Sequence, residues 1–371
     1  VPWRRVPLSG LSEAVGPRAR TRASAILGLL ALAGCAPTEK AADCAPDPIA
    51  VETFIATADD AAGLTLTVYP LPWPDGNPHD PALAGDGAIW FTDSWTSCVG
   101  RLDPETDRIG GWGTPTAGSD PHGMTEDPDG TVWYAGTGAG IIGRVHPETV
   151  EITEHRLPEG AGAPHSLAVH HGEVWFTLQR TGALGRLDRT TGDISLHPLP
   201  EEASSAYDLA VDSAGHLWTT LSGIPALGRI DPATGEMREV PLPEGARPSG
   251  VAVDATGGVW YSDAGRSLLG VLDAGTFEAS EFPTAGDRAF PRAVSSGPDG
   301  RIWYFEERGA RLVGLDPAGG KQVILTVPDL PAPGRTVRRI AVDHENHRLW
   351  VAFGSGGALG RIDLPPPAAE R

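Results

Sequence analysis

Three histidines occupy one repeated position in this chain. His79, His122 and His165 each follow a proline, and each precedes a tryptophan by eleven residues, or by ten at His165. Three of the chain's eleven histidines at equivalent places predict that a repeating fold brings three imidazoles together. Such a group supports two kinds of chemistry: neutral ring nitrogens ligate a divalent metal, and rings poised near neutral pH act as general acid and base. Asp120, two residues before His122, and Asp93, three after a tryptophan, add carboxylates as metal ligands. Imidazole with carboxylate suits zinc or manganese, whereas carboxylate with water suits magnesium. The plainer alternative is that Pro-His suits the start of a strand and the rings fill space. The other histidines fall mostly in turns (His170, His171, His216, His344, His347) or on an outer strand (His155, His197), where solvation accounts for them.

In the later repeats the histidine position holds Tyr207, Ser249, Arg292 and Arg339. Arg292 and Arg339 can hold an anionic group of a substrate, or pair with Glu306. Trp73 and Trp95 flank His79 and offer faces for stacking on a cyclic or aromatic ligand.

What must position these residues is a repeat. Tryptophan recurs at 90, 133, 175, 218, 260, 303 and 350, with spacings of 43, 42, 43, 42, 43 and 47. A period in this range marks propellers and related arrays. Thirteen residues after each tryptophan stands Asp103, His146, Asp188, Asp231, Asp273, Asp316 or Asp363, usually inside a Gly-Arg-Leu-Asp type turn. Within 206–243 the pattern reads as four strands: 209–211, 216–220, 227–230 and 237–242, with a turn at 212–215. One such meander cannot bury both faces alone, so neighbouring units must stack through their tryptophans. The expectation is an all-β, seven-bladed propeller over 64–364. In a meander the start of the first strand and the end of the second share one sheet edge, so the positions above converge at one mouth of the central channel.

The seventh unit stops at Asp363 without an outer strand. Residues 64–72, Leu-Thr-Leu-Thr-Val-Tyr-Pro-Leu-Pro, copy the outer-strand pattern of 193–200, so pairing them onto the last blade would seal the ring and remove an open edge. Gly at 48 and Pro at 35 of 371 residues fit many short strands joined by tight turns. The net charge of −19 argues against nucleic acid.

Arg18, Arg20 and Arg22 precede the apolar run 23–33, too short for a permanent span, so 1–35 reads as a signal peptide. Leu32-Ala33-Gly34-Cys35 resembles the lipobox of bacterial lipoproteins, which implies lipidation of Cys35 and an extracytoplasmic, membrane-anchored protein in the periplasm or at the cell surface. The aperiodic, Ala-, Asp- and Pro-rich 36–63 reads as a tether, and 365–371 as a tail. An oxidising compartment permits a Cys44–Cys98 bridge.

The units Pro164-His165-Ser166-Leu167-Ala168-Val169, Trp175-Phe176-Thr177 and Gly185-Arg186-Leu187-Asp188 resemble those of the streptogramin B (virginiamycin B) lyases, from about Leu64 to Asp363. The resemblance implies a propeller that linearises a cyclic depsipeptide antibiotic by elimination. It implies two histidines from adjacent blades and two glutamates holding magnesium, with one histidine taking the proton next to the ester carbonyl. Carried over, His79 and His122 match the histidines, Asp120 stands at the first glutamate position and Thr137 at the second. The family's pair lies in its last two blades, where this chain has Arg292 and Arg339.

The resulting expectation is a monomeric, lipid-anchored propeller that cleaves a carbon–oxygen bond of an ester-containing small molecule by metal-assisted elimination. In it His122 is the base, His79 orients substrate, Asp120 and Asp93 bind magnesium, zinc or manganese, and His165, Tyr207, Trp73, Trp95, Arg292 and Arg339 surround the ligand. The alternative is a non-catalytic surface propeller that binds a ligand or protein at the same mouth.

Overall fold

The computed structural model describes residues 64–200, 204–327 and 336–365, together with the strands Trp3–Val6 and Glu52–Ala56. Seven antiparallel sheets form the blades of a propeller, six of them with four strands in meander order. The fourth blade shows the plan: Ala206–Val211 innermost, then Leu217–Leu221, Ala226–Ile230 and Met237–Pro241. The second strand is buried along its whole length, because it is sandwiched between neighbouring blades.

Each repeated tryptophan is the plug between its own blade and the next. Trp218 of the fourth blade clusters with Val251, Val259 and Tyr261 of the fifth, and Trp175 of the third with Leu209 and Leu217 of the fourth. All seven are buried to 2% exposure or less. A buried indole N–H needs an acceptor. In the fourth blade Asp212 supplies it at 2.9 Å, while its other oxygen accepts from the backbone of Ala214 and His216. The turn this aspartate closes passes through Gly215 at φ +88°, which a side chain would strain.

The Gly-Arg-Leu-Asp segments are strands rather than turns. In the third blade Ala183–Asp188 is the third strand, and only its aspartate caps the following turn, accepting from Thr190 and Thr191. Its glycine is dictated by packing: a Cβ on Gly185 would lie 1.9 Å from the Phe176 ring. The same close approach holds at Gly100 against Phe91, Gly143 against Tyr134 and Gly270 against Tyr261. Thus the motif marks where an aromatic ring crosses the sheet.

The seventh blade contains Ile340–Asp343, Arg348–Phe353 and Ala358–Asp363, and its fourth strand is Thr65–Pro70, paired antiparallel from Thr65 opposite Asp363 to Pro70 opposite Ala358. Trp350, Ala352 and Leu359 of this blade pack with Tyr69 against Ile89, Phe91 and Leu102 of the first. Glu52–Ala56 adds a further strand outside Thr65–Pro70, and Trp3–Val6 another outside that. Within 36–63 the strand Glu52–Ala56 is described, and Glu-Thr-Phe-Ile-Ala has β-forming residues enough to extend an open edge. Cys35, Cys44 and most of the expected signal peptide and tail lie outside the described residues. Cys98 is disulfide-bonded, and no described helix is long and apolar enough to cross a membrane.

A hydroxyl two residues after the tryptophan stitches neighbouring blades together. Thr220 Oγ1 accepts from the Asp208 backbone N–H in its own blade at 3.1 Å and donates to the Ser249 carbonyl of the next at 2.7 Å. Thr92, Thr177 and Ser262 make the same bridge. Thr220→Val keeps the shape but orphans a buried N–H and a buried carbonyl, so it is expected to destabilise the protein by about 2–4 kcal/mol. A fall in the urea midpoint at unchanged slope checks this.

Candidate functional site

The first strand of a blade starts at the channel mouth with a bulge. The pairing register breaks between Pro78 and Pro81, Pro121 and Met124, Pro164 and Leu167, Ala206 and Leu209, Pro248 and Val251, and Pro291 and Val294. The residues inside these breaks are His79-Asp80, His122-Gly123, His165-Ser166, Tyr207-Asp208, Ser249-Gly250 and Arg292-Ala293. A bulge re-aims side chains that a regular strand would send to opposite faces. Both members of each pair can therefore contribute to the mouth.

The three histidines meet. The His79 and His122 rings stack with centroids 4.1 Å apart and planes at 13°, and His165 stands edge-on to both, at 5.7 and 5.2 Å. Each ring is held through one nitrogen by an oxygen. His79 Nδ1 lies 2.8 Å from Asp80 Oδ1, His122 Nε2 lies 3.1 Å from Asp120 Oδ1, and His165 Nδ1 lies 3.1 Å from the Tyr207 carbonyl. His79 and His165 are buried, whereas the His122 side chain keeps 21% exposure and Asp120 46%.

Burial sets the protonation of this group. It pushes the His79 pKa down, against the opposing hydrogen bond that His79 donates to Asp80. It holds His165 well below the ordinary imidazole value, reinforced by the neighbouring His79 and His122. For Asp80, burial alone would raise the carboxyl, but the His79 bond and the charges of His79, Arg339 and His165 bring it below the usual range. Asp120 is lowered chiefly by its bond to His122. The neutral form of His79 and His165 is therefore favoured, beside the ionised carboxylates of Asp80 and Asp120. Asp120 has a left-handed backbone at φ 46°, but Ser205 at 46° and Phe290 at 57° share it at the same place in their blades. That conformation belongs to the blade rather than to the chemistry.

Several residues singled out from the sequence are structural instead. Asp93 is fully buried and spends both oxygens, accepting from Trp73 Nε1 at 2.7 Å, Asn77 N at 3.0 Å and Thr96 N at 3.3 Å. Asp263 and Glu306 pin loops in the same way from the same position in their blades. Asp93 is therefore not available as a metal ligand. Trp73 is buried and stacks on Phe91 at 6.1 Å, so it is not a ligand platform. Trp95 differs: 65% exposed, it stands on the loop that Asp93 anchors.

Arg339 crosses the channel. From the seventh blade it reaches Ser166 Oγ at 3.2 Å and Asp208 Oδ1 at 3.3 Å, in the third and fourth blades. It forms a floor beneath the histidines rather than a free anion site. Burial raises the Asp208 pKa, opposed by Arg339 and by bonds from Val251, Ser166 and Leu209. Below this floor lies a cavity of about 1160 Å³ whose lining includes Asp208, Arg338 and Arg339 but none of the three histidines. The site therefore faces one mouth and the large cavity faces the other.

Arg292 does face the mouth. It lies 3.3 Å from Glu307 Oε1, which Arg338 also approaches at 3.6 Å, and its guanidinium covers the Phe290 ring at 4.7 Å. Two cations thus share one carboxylate. Arg338 bears on His79, and both arginines bear on Tyr207, whose phenol burial raises. Tyr207 itself packs on His165 at 4.4 Å. Sequence reasoning missed Arg338 and Asp80, which sit next to positions it chose. For Asp80 the absent signal was the bulge between Pro78 and Pro81, which brings neighbouring residues to one face.

Comparison with known proteins agrees with this architecture. Residues 55–277 match the model of the virginiamycin B lyase family. The virginiamycin B lyase from Staphylococcus aureus superposes with a TM-score of 0.75 at 23% identity, over 81% of this chain and 100% of that one. A streptogramin B lyase does so with 0.75 at 24% identity, over 81% and 98%. A catalytically inactive variant of the S. aureus lyase with quinupristin gives 0.75 at 22%, over 81% and 100%. No curated protein matches the chain. At these identities the solved structures speak to the fold, whereas the family match extends over more than half of the chain: the protein belongs to the virginiamycin B lyase family.

Proposed function

We propose that the protein is a carbon–oxygen lyase that opens an ester of a cyclic, depsipeptide-like small molecule at the three-histidine mouth. The observation that carries this reading is the Asp120–His122 pair: an imidazole 21% exposed, its Nε2 held at 3.1 Å by a carboxylate, with its buried Nδ1 left without a hydrogen-bond partner. A base so oriented takes the proton from the carbon adjacent to the one that carries the ester's alkyl oxygen, a proton acidified by the amide carbonyl on that same carbon. The electron pair released forms a carbon–carbon double bond, and the ester oxygen leaves as a carboxylate. Arg292 and Arg338 attract an anionic portion of the substrate from across the mouth, and Trp95 offers an exposed face. The ring opens without water.

The magnesium that the family resemblance implies does not fit these residues. Magnesium prefers six oxygens in near-octahedral array. Asp93 is spent on Trp73, Asn77 and Thr96, Thr137 donates to the Pro164 carbonyl at 2.6 Å, and Asp80 stands behind His79. Asp120 alone does not make such a site, so no step is assigned to magnesium. We further propose, from the sequence alone, that the domain acts outside the cytoplasm as a monomer anchored by lipid on Cys35.

The test is to incubate the purified protein with quinupristin or another streptogramin B and analyse the products by mass spectrometry. A linear product of unchanged mass is expected. A product heavier by one water would signify hydrolysis, and intact substrate would favour a binding role for the mouth; either result would overturn the lyase reading.

A further inference from the structure

We propose that His79, His122 and His165 form a binding site for a divalent transition metal, with zinc as its representative. One ligating atom from each ring lies within 4.8 Å of those of the other two, and among the described residues this is the one such group of three. Convergence alone is a weak argument. The second observation is the state of the other nitrogens. Histidines that ligate metals characteristically donate their remaining N–H to a carboxylate or backbone carbonyl, which fixes the tautomer and the ring orientation. Here all three rings are so held, by Asp80, by Asp120 and by the Tyr207 carbonyl. The lone pairs left over are on His79 Nε2, His122 Nδ1 and His165 Nε2.

A third observation concerns His122 Nδ1, which is buried without a hydrogen-bond partner. A buried nitrogen beside two other imidazoles, lacking a donor, is what an ion would satisfy. At a Zn–N distance of about 2.0–2.1 Å, ligands of a tetrahedral site stand roughly 3.4 Å apart. Closing onto one ion therefore requires modest ring rotations, and unstacking of His79 from His122, on a backbone held by the bulges and by the Thr92 and Thr177 bridges. His122, the least buried of the three, marks the side on which a fourth position stays open to water or a ligand. Three imidazoles with one open position favour zinc, cobalt or nickel and disfavour magnesium.

This inference bears on the proposed lyase reading without depending on it. A metal would take the same lone pair of His122 that proton abstraction needs, so the loaded protein should be inhibited. The experiment titrates chelator-treated full-length protein with zinc chloride by calorimetry, with magnesium chloride as control, and records the cobalt(II) absorption spectrum. One equivalent of zinc, no magnesium and the intense visible bands of tetrahedral cobalt are expected. His165→Ala and His79→Ala should each weaken zinc by more than about 100-fold, and Asp80→Asn by about 10-fold. His165→Gln serves if the alanine variant fails to fold. Absence of saturable zinc binding, or binding that survives these changes, would overturn the site. Turnover measured on the same samples separates the two ideas. Zinc binding with undiminished elimination would keep the site and remove the proton role of His122, whereas elimination without zinc binding would do the reverse.

Discussion

His122→Ala is expected to lower turnover of a streptogramin B ester by about 10³-fold, the middle of the range for loss of a positioned general base. The direction follows from geometry. His122 is the most exposed of the three rings, and among the described residues the oxygen held against it belongs to Asp120, a carboxylate that stabilises the protonated ring as the proton arrives. Asp120→Asn keeps the hydrogen bond but not the charge, so a smaller loss of about 10-fold is expected. Both effects should appear in kcat. Arg338→Ala should instead raise KM with kcat little changed, because that guanidinium attracts the substrate without touching the reacting atoms. The stability of His122→Ala should stay close to the parent, since the ring fills a solvent-facing mouth rather than the core. Undiminished turnover in His122→Ala, with the variant folded by circular dichroism, would take the chemistry away from this residue.

The second large effect concerns the seam of the ring. Deleting residues 64–70 is expected to abolish cooperative folding. Leu64, Leu66, Val68 and Tyr69 are each less than 5% exposed, and burial of such side chains contributes about 1.5–3 kcal/mol each. Their sum is comparable with the whole stability of an ordinary domain, about 5–15 kcal/mol. The deletion also strips the ladder from Ala358–Asp363 and exposes a strand edge that invites association. Size-exclusion chromatography should show aggregates, and thermal scans should lose their single transition. A milder probe, Leu66→Ala, should cost about 2–5 kcal/mol while leaving the protein monomeric. A deletion variant that melts like the parent would mean that the ring is held closed without this strand.

Much of the architecture was legible because it rests on short-range regularity. One tryptophan per blade fixes the count, since each indole fills the gap to the next sheet, and the glycine of Gly-Arg-Leu-Asp is legible as an obligatory small residue. That the motif lies on a strand is legible in the fourth blade, at 227–230, but the sequence does not reveal that Phe176 lies across Gly185. The meeting of His79, His122 and His165 was equally legible, as equal positions in equal repeats must fall around one axis.

The sequence by itself therefore determined the number of blades, the family and the ring of residues at one mouth. Only the tertiary structure decided which of those residues are free. Asp93 and Arg339 look like ligands in the chain, but loop donors consume the first and Asp208, three blades away, consumes the second. Asp80 and Arg338 look incidental, yet one backs His79 and the other faces it. The physical reason is that hydrogen-bond capacity is a shared resource. Whether a carboxylate or guanidinium is available depends on donors and acceptors brought from distant blades, and those pairings exist only once the ring has closed.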